Sequence, residues 1–293
     1  MINKTIDRIH EFILKKKFIF NSKKISLLIK KIKQNSYFYI VDVGAGGRYL
    51  RPVINFDGSS KIFMIDLNDN LNVSVTNLHK IVKFKKNIIP INKGIFHRNT
   101  TLNYYPSPIP TSSSFIKYDK SLKPVKKKVS TFSTLQKEYK IKKVDILKID
   151  IEGLELGVLK SILKSNSPLI IEIEANFNNS VFGDTFTEIH NFLSKKYMLE
   201  TAFPTYKSFQ NRFNSHLRNF RVGSYASPTY RNPITQMDCY YILKKKHYDI
   251  NDLLLFLGYG FVDMANQVFL KLKNELNQKQ KENFLKILEI LND

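Results

Sequence analysis

The sequence predicts an α/β protein with a mostly parallel sheet and with helical additions at both ends. Short apolar runs, each long enough for one buried strand, alternate with helical or loop segments from Tyr37 onward. Such alternation is typical of parallel sheets that helices cover on both faces. Hydrophobic residues make up 43% of the 293 residues, which supports a sizeable core. The runs are 37-YFYIVDVG, 61-KIFMID, 87-NIIPINKGIF, 144-VDILKID and 168-PLIIEIE, and 197-YMLETAF and 237-MDCYYILKK extend the pattern.

Changes in sequence pattern divide the chain into three parts. Residues 1–36 place Ile and Leu at helical spacing among lysines and predict a basic amphipathic helical arm. Residues 37–246 hold the strand-like runs, and residues 247–293 predict a helical extension. Two long irregular segments, residues 98–129 and 205–236, interrupt the strand pattern, and long loops in a compact domain are usually functional or disordered.

The composition favours a cytoplasmic protein and narrows the classes of partner. Cys239 is the only cysteine, so no internal disulfide forms, and no apolar stretch reaches the length of a membrane span. The net charge of +22 suits an anionic partner, but the lysines are scattered and no aromatic RNA-binding motif accompanies them. Surface solvation is therefore favoured over nucleic-acid binding. The N-terminal arm either packs its apolar stripe on the domain or contacts the inner face of a membrane, and the oligomeric state is left open.

A glycine-rich turn follows the first predicted strand. In 40-IVDVGAGGRYL the strand reaches Asp42, then Gly44 and Gly46 let backbone N–H groups approach a ligand, and a helix is expected next. Tyr49 stands where the dinucleotide fingerprint requires Gly or Ala, which disfavours NAD. An acidic residue ahead of Gly-x-Gly instead suits a cationic cofactor that carries an amino acid, such as S-adenosylmethionine. Asp66 ends the next strand, where a carboxylate accepts hydrogen bonds from ribose hydroxyls; a plain turn would also place Asp there.

Carboxylates also follow the strand in 144-VDILKIDIEGLELGVLKSIL. Asp150 and Glu152 lie where the strand gives way to a helix, and ligands bind at this edge of open α/β sheets. The alternative is that Asp150 only caps the N-terminus of the helix, which is a common role for Asp.

These motifs, in this order, resemble the FkbM family of S-adenosylmethionine-dependent methyltransferases. The chain reads DVGAGG, MIDL, NKGIF, SSSF, VSTFSTL, VDILKIDIEGLELGVLKS and PLIIEIEANF, and its KIDIEG-L-E is similar to the family's Lys-Ile-Asp-Val-Glu-Gly-x-Glu core. The resemblance runs from about Tyr37 to Lys246. It implies a class I methyltransferase fold, which is a Rossmann-like sheet of seven strands with the last antiparallel. It also implies O-methylation, often of sugars in glycans or natural products.

The resemblance assigns a role to each matching position. The cofactor contacts that it implies are Asp42, Gly44, Ala45, Gly46, Asp66, Leu67, Gly94, Ile95 and Asp150. Asp150 and Glu152 match the fourth-strand motif and Glu174 the fifth-strand acid, so these three are the catalytic candidates. The family usually reads Asp-Val-Gly-Ala-Asn-x-Gly, whereas here Gly46 replaces the Asn and Arg48 the final Gly. The shape of the turn is therefore expected to differ.

Methyl transfer to a hydroxyl needs an aligned hydroxyl whose proton is accepted as charge develops. One of Asp150, Glu152 and Glu174 supplies this base, or the crowded carboxylates bind a divalent metal through Asp150 and Glu174. The sequence leaves both open. The histidines lack metal-site spacing, and His97 and His216, which lie in the loop segments, are further candidate bases.

The segment of residues 205–236 predicts the acceptor class. It supplies six aromatic residues and four arginines between the two last strands. Aromatic faces stack on sugar rings, and Arg forks pair with carboxylate or phosphate. We therefore predict a saccharide or glycoconjugate acceptor, anionic in character, contacted by Arg218 and Tyr225; alternatively, the aromatics form a small core. RNA ribose methylation and a non-catalytic binding role are the other functions that the sequence leaves open.

Overall fold

The computed structural model describes residues 2–33, 36–46, 51–106, 113–117, 121–151, 153–177, 184–205 and 236–292, with the side chains of residues 2–16, 51, 204 and 205 excepted. Several predicted site residues lie outside the described residues. They are Glu152, Arg48, His216, Arg218 and Tyr225, together with the rest of residues 206–235.

Most of the described strands form one sheet. In chain order the strands are β1 (Phe38–Val43), β2 (Ser60–Ile65), β3 (Ile88–Ile91), β4 (Gly94–Ile95), β5 (Thr100–Tyr104), β6 (Val125–Ser130), β7 (Ile146–Ile149), β8 (Ile170–Asn176), β9 (Tyr197–Thr205) and β10 (Gln236–Leu243). The seven-stranded sheet has the order β3-β2-β1-β7-β8-β10-β9. β10 is antiparallel to both of its neighbours, and the other pairs are parallel. The predicted class I sheet, mostly parallel with its last strand antiparallel, is confirmed.

Helices cover both faces of this sheet. They are α1 (Ile2–Ile32), α2 (Leu71–His79), α3 (Phe132–Glu138), α4 (Glu155–Leu163), α5 (Phe186–Leu193), α6 (Ile250–Tyr259), α7 (Val262–Leu272) and α8 (Gln278–Asn292), with 3₁₀ helices at Arg51–Phe56 and Lys85–Asn87. The helix described after the glycine turn is the first 3₁₀ helix, and Pro52 is its second residue. It has six residues before the chain turns at Gly58, whose φ is +78°, and enters β2.

Two hydrophobic cores lie on opposite faces of the sheet. All six residues of β1 are buried, and because side chains alternate along a strand they supply both cores. Phe38 and Ile40 pack with α1, α2 and the C-terminal helices. Tyr39, Val41 and Val43 pack with α3, α4 and α5. The apolar runs therefore bury side chains on both faces of the sheet, as is typical of parallel strands.

A second, three-stranded sheet has the order β4-β6-β5. The sequence predicts one strand over 87-NIIPINKGIF, but β3 ends at Ile91 and Gly94 starts β4 in the small sheet. β5 and β6 pair antiparallel within the segment from Arg98 to Val129 that reads as irregular in the sequence. The small sheet follows β3 directly and lies beside the loop after β2, where Leu67 approaches Gly94.

The terminal helices pack on the sheet. The second half of α1 contributes Ile25, Ile29 and Ile32 to the first core, and α6 contributes residues 253–257. Lys33 Nζ, just after α1, donates to Asn251 Oδ1 of α6 (3.0 Å), and Asn55 Nδ2 of the first 3₁₀ helix donates to the Gly258 carbonyl of α6 (2.7 Å). In the part of the chain that the structure describes, no helix combines the length and apolar composition needed to cross a bilayer.

Candidate cofactor and catalytic site

The glycine turn is built into the end of the sheet. Gly44 follows β1 with φ +89°, and its N–H donates to the Ile65 carbonyl at 2.9 Å. A Cβ at this position would lie 1.7 Å from the backbone oxygen of Asp150, which follows β7. Only glycine fits, because the turn needs a left-handed residue and the two backbones touch. The turn and the end of β7, far apart in sequence, therefore form one continuous edge.

Asp66 closes on the same turn. Its Oδ2 accepts the N–H of Gly46 at 2.7 Å, and its Oδ1 accepts the N–H of Asn68 at 2.7 Å. A Cβ on Gly46 would lie 2.7 Å from Asp66 Oδ2, so this glycine allows the carboxylate to approach. Burial raises the pKa of Asp66, against the effect of the two N–H donors. The structure thus brings together Gly46 and Asp66, as the cofactor prediction requires.

The predicted adenine side of the site meets the small sheet. A Cβ on Gly94 would lie 2.8 Å from Leu67 Cδ1 and 2.7 Å from Val129 Cγ1, so the two predicted contacts, Leu67 and Gly94, adjoin. Ile95 is only 4% exposed, and its side chain lies in the second core. Leu67 and the backbone at Gly94 are therefore the parts of this set that line the edge. Ala45 is fully buried in the first core.

The SSSF segment also reaches this edge. Asn68 Nδ2 donates to Ser113 Oγ at 3.4 Å, and Ser114 is fully buried and bridges to Tyr105. Burial raises the pKa of Tyr104, whose hydroxyl also interacts with Ser113. The segment thus borders the Asp66 loop, an arrangement that its serine-rich sequence does not reveal by itself.

Asp150 lies at the carboxyl edge with a buried lysine behind it. Lys148 Nζ lies 3.1 Å from Asp150 Oδ2 and 3.7 Å from Asp42 Oδ1. Asp42 and Lys148 are direct neighbours across β1 and β7. The Asp42 side chain is 1% exposed and that of Asp150 is 43% exposed. Asp42 is therefore placed to hold Lys148 from inside the sheet, and Asp150 faces the open edge.

Asp42, Lys148 and Glu172 lie side by side across β1, β7 and β8, and we call them the charged row. This row extends to the C-terminal helices. Glu172 lies opposite Lys148 in the pairing of β7 with β8, and the Tyr259 hydroxyl of α6 donates to Glu172 Oε2. Burial raises the pKa of Glu172 to about 7, although Lys148 and Tyr259 both act to lower it. Burial alone would lower the pKa of Lys148, but Asp150, Asp42 and Glu172 raise it above its ordinary value. Lys148 is thus a buried, charged group among three acids.

The alternative that Asp150 caps the following helix is wrong. Helix α4 begins at Glu155, and its N-cap is Leu154, a left-handed residue (φ 71°) without a side-chain cap. Asp184 Oδ2 instead accepts one N–H of the first turn, that of Leu156, at 2.9 Å. Asp150 precedes the cap by four residues, because a loop with two positive-φ residues, Gly153 and Leu154, separates strand from helix.

Glu155 stabilises that loop from inside. The side chain is 1% exposed, and its Oε1 accepts the N–H of Gly153 at 2.6 Å. Within the described residues its Oε2 has no hydrogen-bond partner. Burial raises the pKa of Glu155 to about 8, so the side chain is mostly neutral at pH 7. A neutral acid at this position avoids a second buried negative charge near Asp150 and Asp184.

Glu174 lies farther along the sheet edge than Asp150. Gln236 Nε2 donates to Glu174 Oε2 at 3.2 Å, and Asp238 is the direct neighbour of Glu174 across β8 and β10. Among the described residues, no group of three or more His, Cys, Asp or Glu is arranged to hold a metal ion. His97, the other candidate base, is exposed beside Phe96, with ring centroids 4.0 Å apart.

A family model described as "Methyltransferase FkbM domain" matches residues 31–199, which is more than half of the chain. The chain belongs to the FkbM methyltransferase family. It is therefore a methyltransferase. The matched range starts near the end of α1 and stops within β9, so β10 and Tyr259 lie beyond it.

Solved methyltransferase structures align with much of the chain at low similarity. A precorrin-6Y C5,15-methyltransferase from Geobacter metallireducens GS-15 is 13% identical, covers 75% of this chain and 88% of its own, and has a TM-score of 0.35. The small RNA methyltransferase HEN1 is 12% identical, covers 77% of this chain and 25% of its own, and has a TM-score of 0.33. No curated protein matches the chain.

Three residues of the site are missing from the sequence prediction: Lys148, Glu172 and Tyr259. Lysine is almost never fully buried unless it is paired. Lys148 stands inside a run that reads as buried on both faces, so its position alone indicates buried partners. Glu172 likewise stands inside the apolar run 168-PLIIEIE, whereas nothing in the local sequence indicates that Tyr259 of α6 is its partner.

Proposed function

We propose that this FkbM methyltransferase uses S-adenosylmethionine to methylate a hydroxyl of a sugar or glycoconjugate. The observation that carries the proposal is the edge formed by the Gly44 turn, Asp66 and Asp150. It puts a half-exposed carboxylate beside a turn suited to a cofactor.

The described residues fit the cofactor. The backbone of the Gly44–Gly46 turn would hold its amino-acid end, and the Asp66 carboxylate, already fixed by two N–H donors, would accept hydrogen bonds from its ribose. Leu67 and Gly94 would border the base. S-adenosylmethionine supplies an electrophilic methyl group when it is bound.

Asp150 is the residue that we assign to the acceptor hydroxyl. Its Oδ2 is held by Lys148, and the side chain still faces the open edge. It can therefore accept the hydroxyl's hydrogen bond, and then its proton as the acceptor oxygen is methylated. Lys148 orients Asp150 and does not itself face the edge, since its side chain is only 10% exposed. As the alternative within this proposal, Glu174 or a metal ion would assist the loss of the proton from the acceptor hydroxyl.

The sugar acceptor follows from the family resemblance and from the composition of residues 205–236. Aromatic side chains can stack on sugar rings and arginines can pair with anionic substituents, and that segment supplies both residue types.

Calorimetric titration with S-adenosylhomocysteine, followed by a mass-shift screen of saccharide and RNA acceptors, tests the proposal. We expect the parent to bind S-adenosylhomocysteine and Asp66→Asn to bind it much more weakly. The Asn side chain must turn an N–H₂ group toward one of the two backbone N–H donors, and it has only one oxygen left to accept hydrogen bonds. Asp69→Asn, in the same loop and exposed, is the matched control and should bind like the parent.

Binding by Asp66→Asn equal to that of Asp69→Asn would remove the cofactor assignment. A gain of 14 mass units (roughly one methylene, the net change of one methylation) on RNA and not on any saccharide would replace the proposed acceptor.

A further inference from the structure

The second half of α1 is fixed on the domain by one face. Ser22, Ile25, Ser26, Ile29 and Ile32 are all buried. They follow the helical spacing of a single stripe. At the same level Asn21 Nδ2 donates to the Ile290 carbonyl of α8 (3.5 Å). The helix therefore cannot turn its opposite face inward.

That opposite face, which we call the outer face, consists of Phe20, Lys23, Lys24, Leu27, Lys30 and Lys31, all exposed. Phe20 and Leu27 are separated by two helical turns and so lie on the same side. They are 59% and 60% exposed, which places them with the most exposed large hydrophobic residues of the described chain. Lys24 Nζ lies 4.2 Å from the centroid of the Phe20 ring, so cation and ring are adjacent.

The charge around this face has one sign. From Phe12 to Val41 the sequence has eight lysines and no Asp or Glu. A solvated helix of this kind does not need exposed Phe and Leu among its lysines. A helix that rests on an anionic bilayer needs both, because apolar side chains enter the acyl boundary and lysines meet the head groups.

We propose that the outer face of α1 binds the surface of an anionic phospholipid bilayer. The inner stripe stays on the domain, and Phe20 and Leu27 enter the interface between the head groups and the chains. The four lysines of the face supply the attraction to anionic lipid. RNA would use the same lysines, but it offers no apolar phase for a side chain such as Leu27.

Vesicle flotation of the full chain tests this directly. We expect the parent to bind vesicles with about 30% phosphatidylglycerol and not pure phosphatidylcholine, and to be released by salt. Lys24→Gln with Lys31→Gln should weaken the partition coefficient by about 25-fold, since each lysine near such a surface contributes about fivefold. Phe20→Gln with Leu27→Gln should also abolish most binding while the charge is unchanged.

Two control pairs separate this face from general surface charge. Val73→Gln with Leu270→Gln removes apolar side chains that are 57% and 56% exposed elsewhere. Lys137→Gln with Lys142→Gln removes two exposed lysines near α3. Both controls should bind vesicles like the parent.

Equal losses in the control and outer-face pairs would overturn the proposal, as would unchanged binding in the outer-face pairs. It would also be overturned if Phe20→Gln with Leu27→Gln converted a dimer to a monomer and left vesicle binding intact, because the face would then join two copies.

Discussion

Replacing Lys148 by Met tests the buried charged row, because Met fills most of the same volume and lacks the ammonium. The substitution leaves Asp42 and Glu172 without the cation that faces them, and it removes the contact at 3.1 Å from Asp150 Oδ2. Removing one partner of a buried ion pair destabilises a protein by about 3–5 kcal/mol. We expect a loss of this size in the free energy of unfolding at pH 8.

The loss should be smaller at low pH, because Glu172 can take up a proton. Its pKa is about 7 in the parent and must rise further without Lys148, which lowers it. A carboxyl whose folded pKa exceeds its unfolded value binds more protons when folded. Its contribution to stability is present at low pH and is lost as the pH rises through the folded pKa. In the parent, the decrease in the free energy of unfolding caused by Glu172 levels off above pH 7. In the variant, the free energy of unfolding continues to decrease by about 1.4 kcal/mol per pH unit. From pH 5.5 to pH 8 the gap should therefore widen by about 1 kcal/mol.

Urea unfolding at pH 5.5 and pH 8 measures both effects. Lys93→Met is the matched control, because Lys93 pairs with Glu138 at 2.6 Å but both side chains are at least 40% exposed. An exposed ion pair is screened by solvent and contributes little to stability, so this control should change little at either pH. A loss in Lys148→Met no larger than in Lys93→Met, or a loss equal at both pH values, would refute the view of Lys148 as a buried counter-ion.

Three further substitutions test other parts of the site. Asp150→Asn should lower kcat at least ~100-fold at a smaller cost in Tm than Lys148→Met, because Asp42 and Glu172 still face Lys148, and near-parental kcat would remove Asp150 from proton handling. Gly44→Ala should unfold the chain or cost several kcal/mol, because its Cβ would lie 1.7 Å from the Asp150 oxygen. By comparison, Gly260→Ala, also at positive φ but with nothing within 4 Å, should cost about 1–2 kcal/mol. Similar Tm values for the two glycine variants would contradict the contact. The raised pKa of Glu155 should make the parent lose about 1.4 kcal/mol of stability per pH unit between pH 5 and 8. Glu155→Gln should lack this pH dependence. Urea unfolding at several pH values measures this, with Glu282→Gln as the control. The same pH dependence of stability in the parent and in Glu155→Gln would contradict the prediction.

The strands of the main sheet could be predicted because most of them are short apolar runs in the sequence. β2 and β7 are short apolar runs, and an acid directly after such a run must lie at the carboxyl edge, which is how Asp66 and Asp150 could be found. Parallel strands end at one edge, so local reading is enough to bring these residues together.

The small sheet and the charged row could not be predicted in this way. β6 reads VKKKVS, and its burial follows no apolar alternation because most of its residues face solvent. The partners of Lys148 come from β1 and β8, and the partner of Glu172 comes from α6. Such contacts depend on the order of the strands in the sheet, which no single stretch of sequence contains.

The position of β10 has a consequence for how the chain is made. β9 is one of the two edge strands of the described main sheet, and β10 lies between it and β8. A growing chain therefore completes β9 before the strand that must join it to the sheet. Roughly 40 residues separate the ends of β9 and β10, which at usual synthesis rates is about 2–8 s. During that time β8 and β9 both present unpaired backbone, the condition under which strand edges pair with other chains. The nascent protein therefore presents unpaired strand edges until its last strand is made.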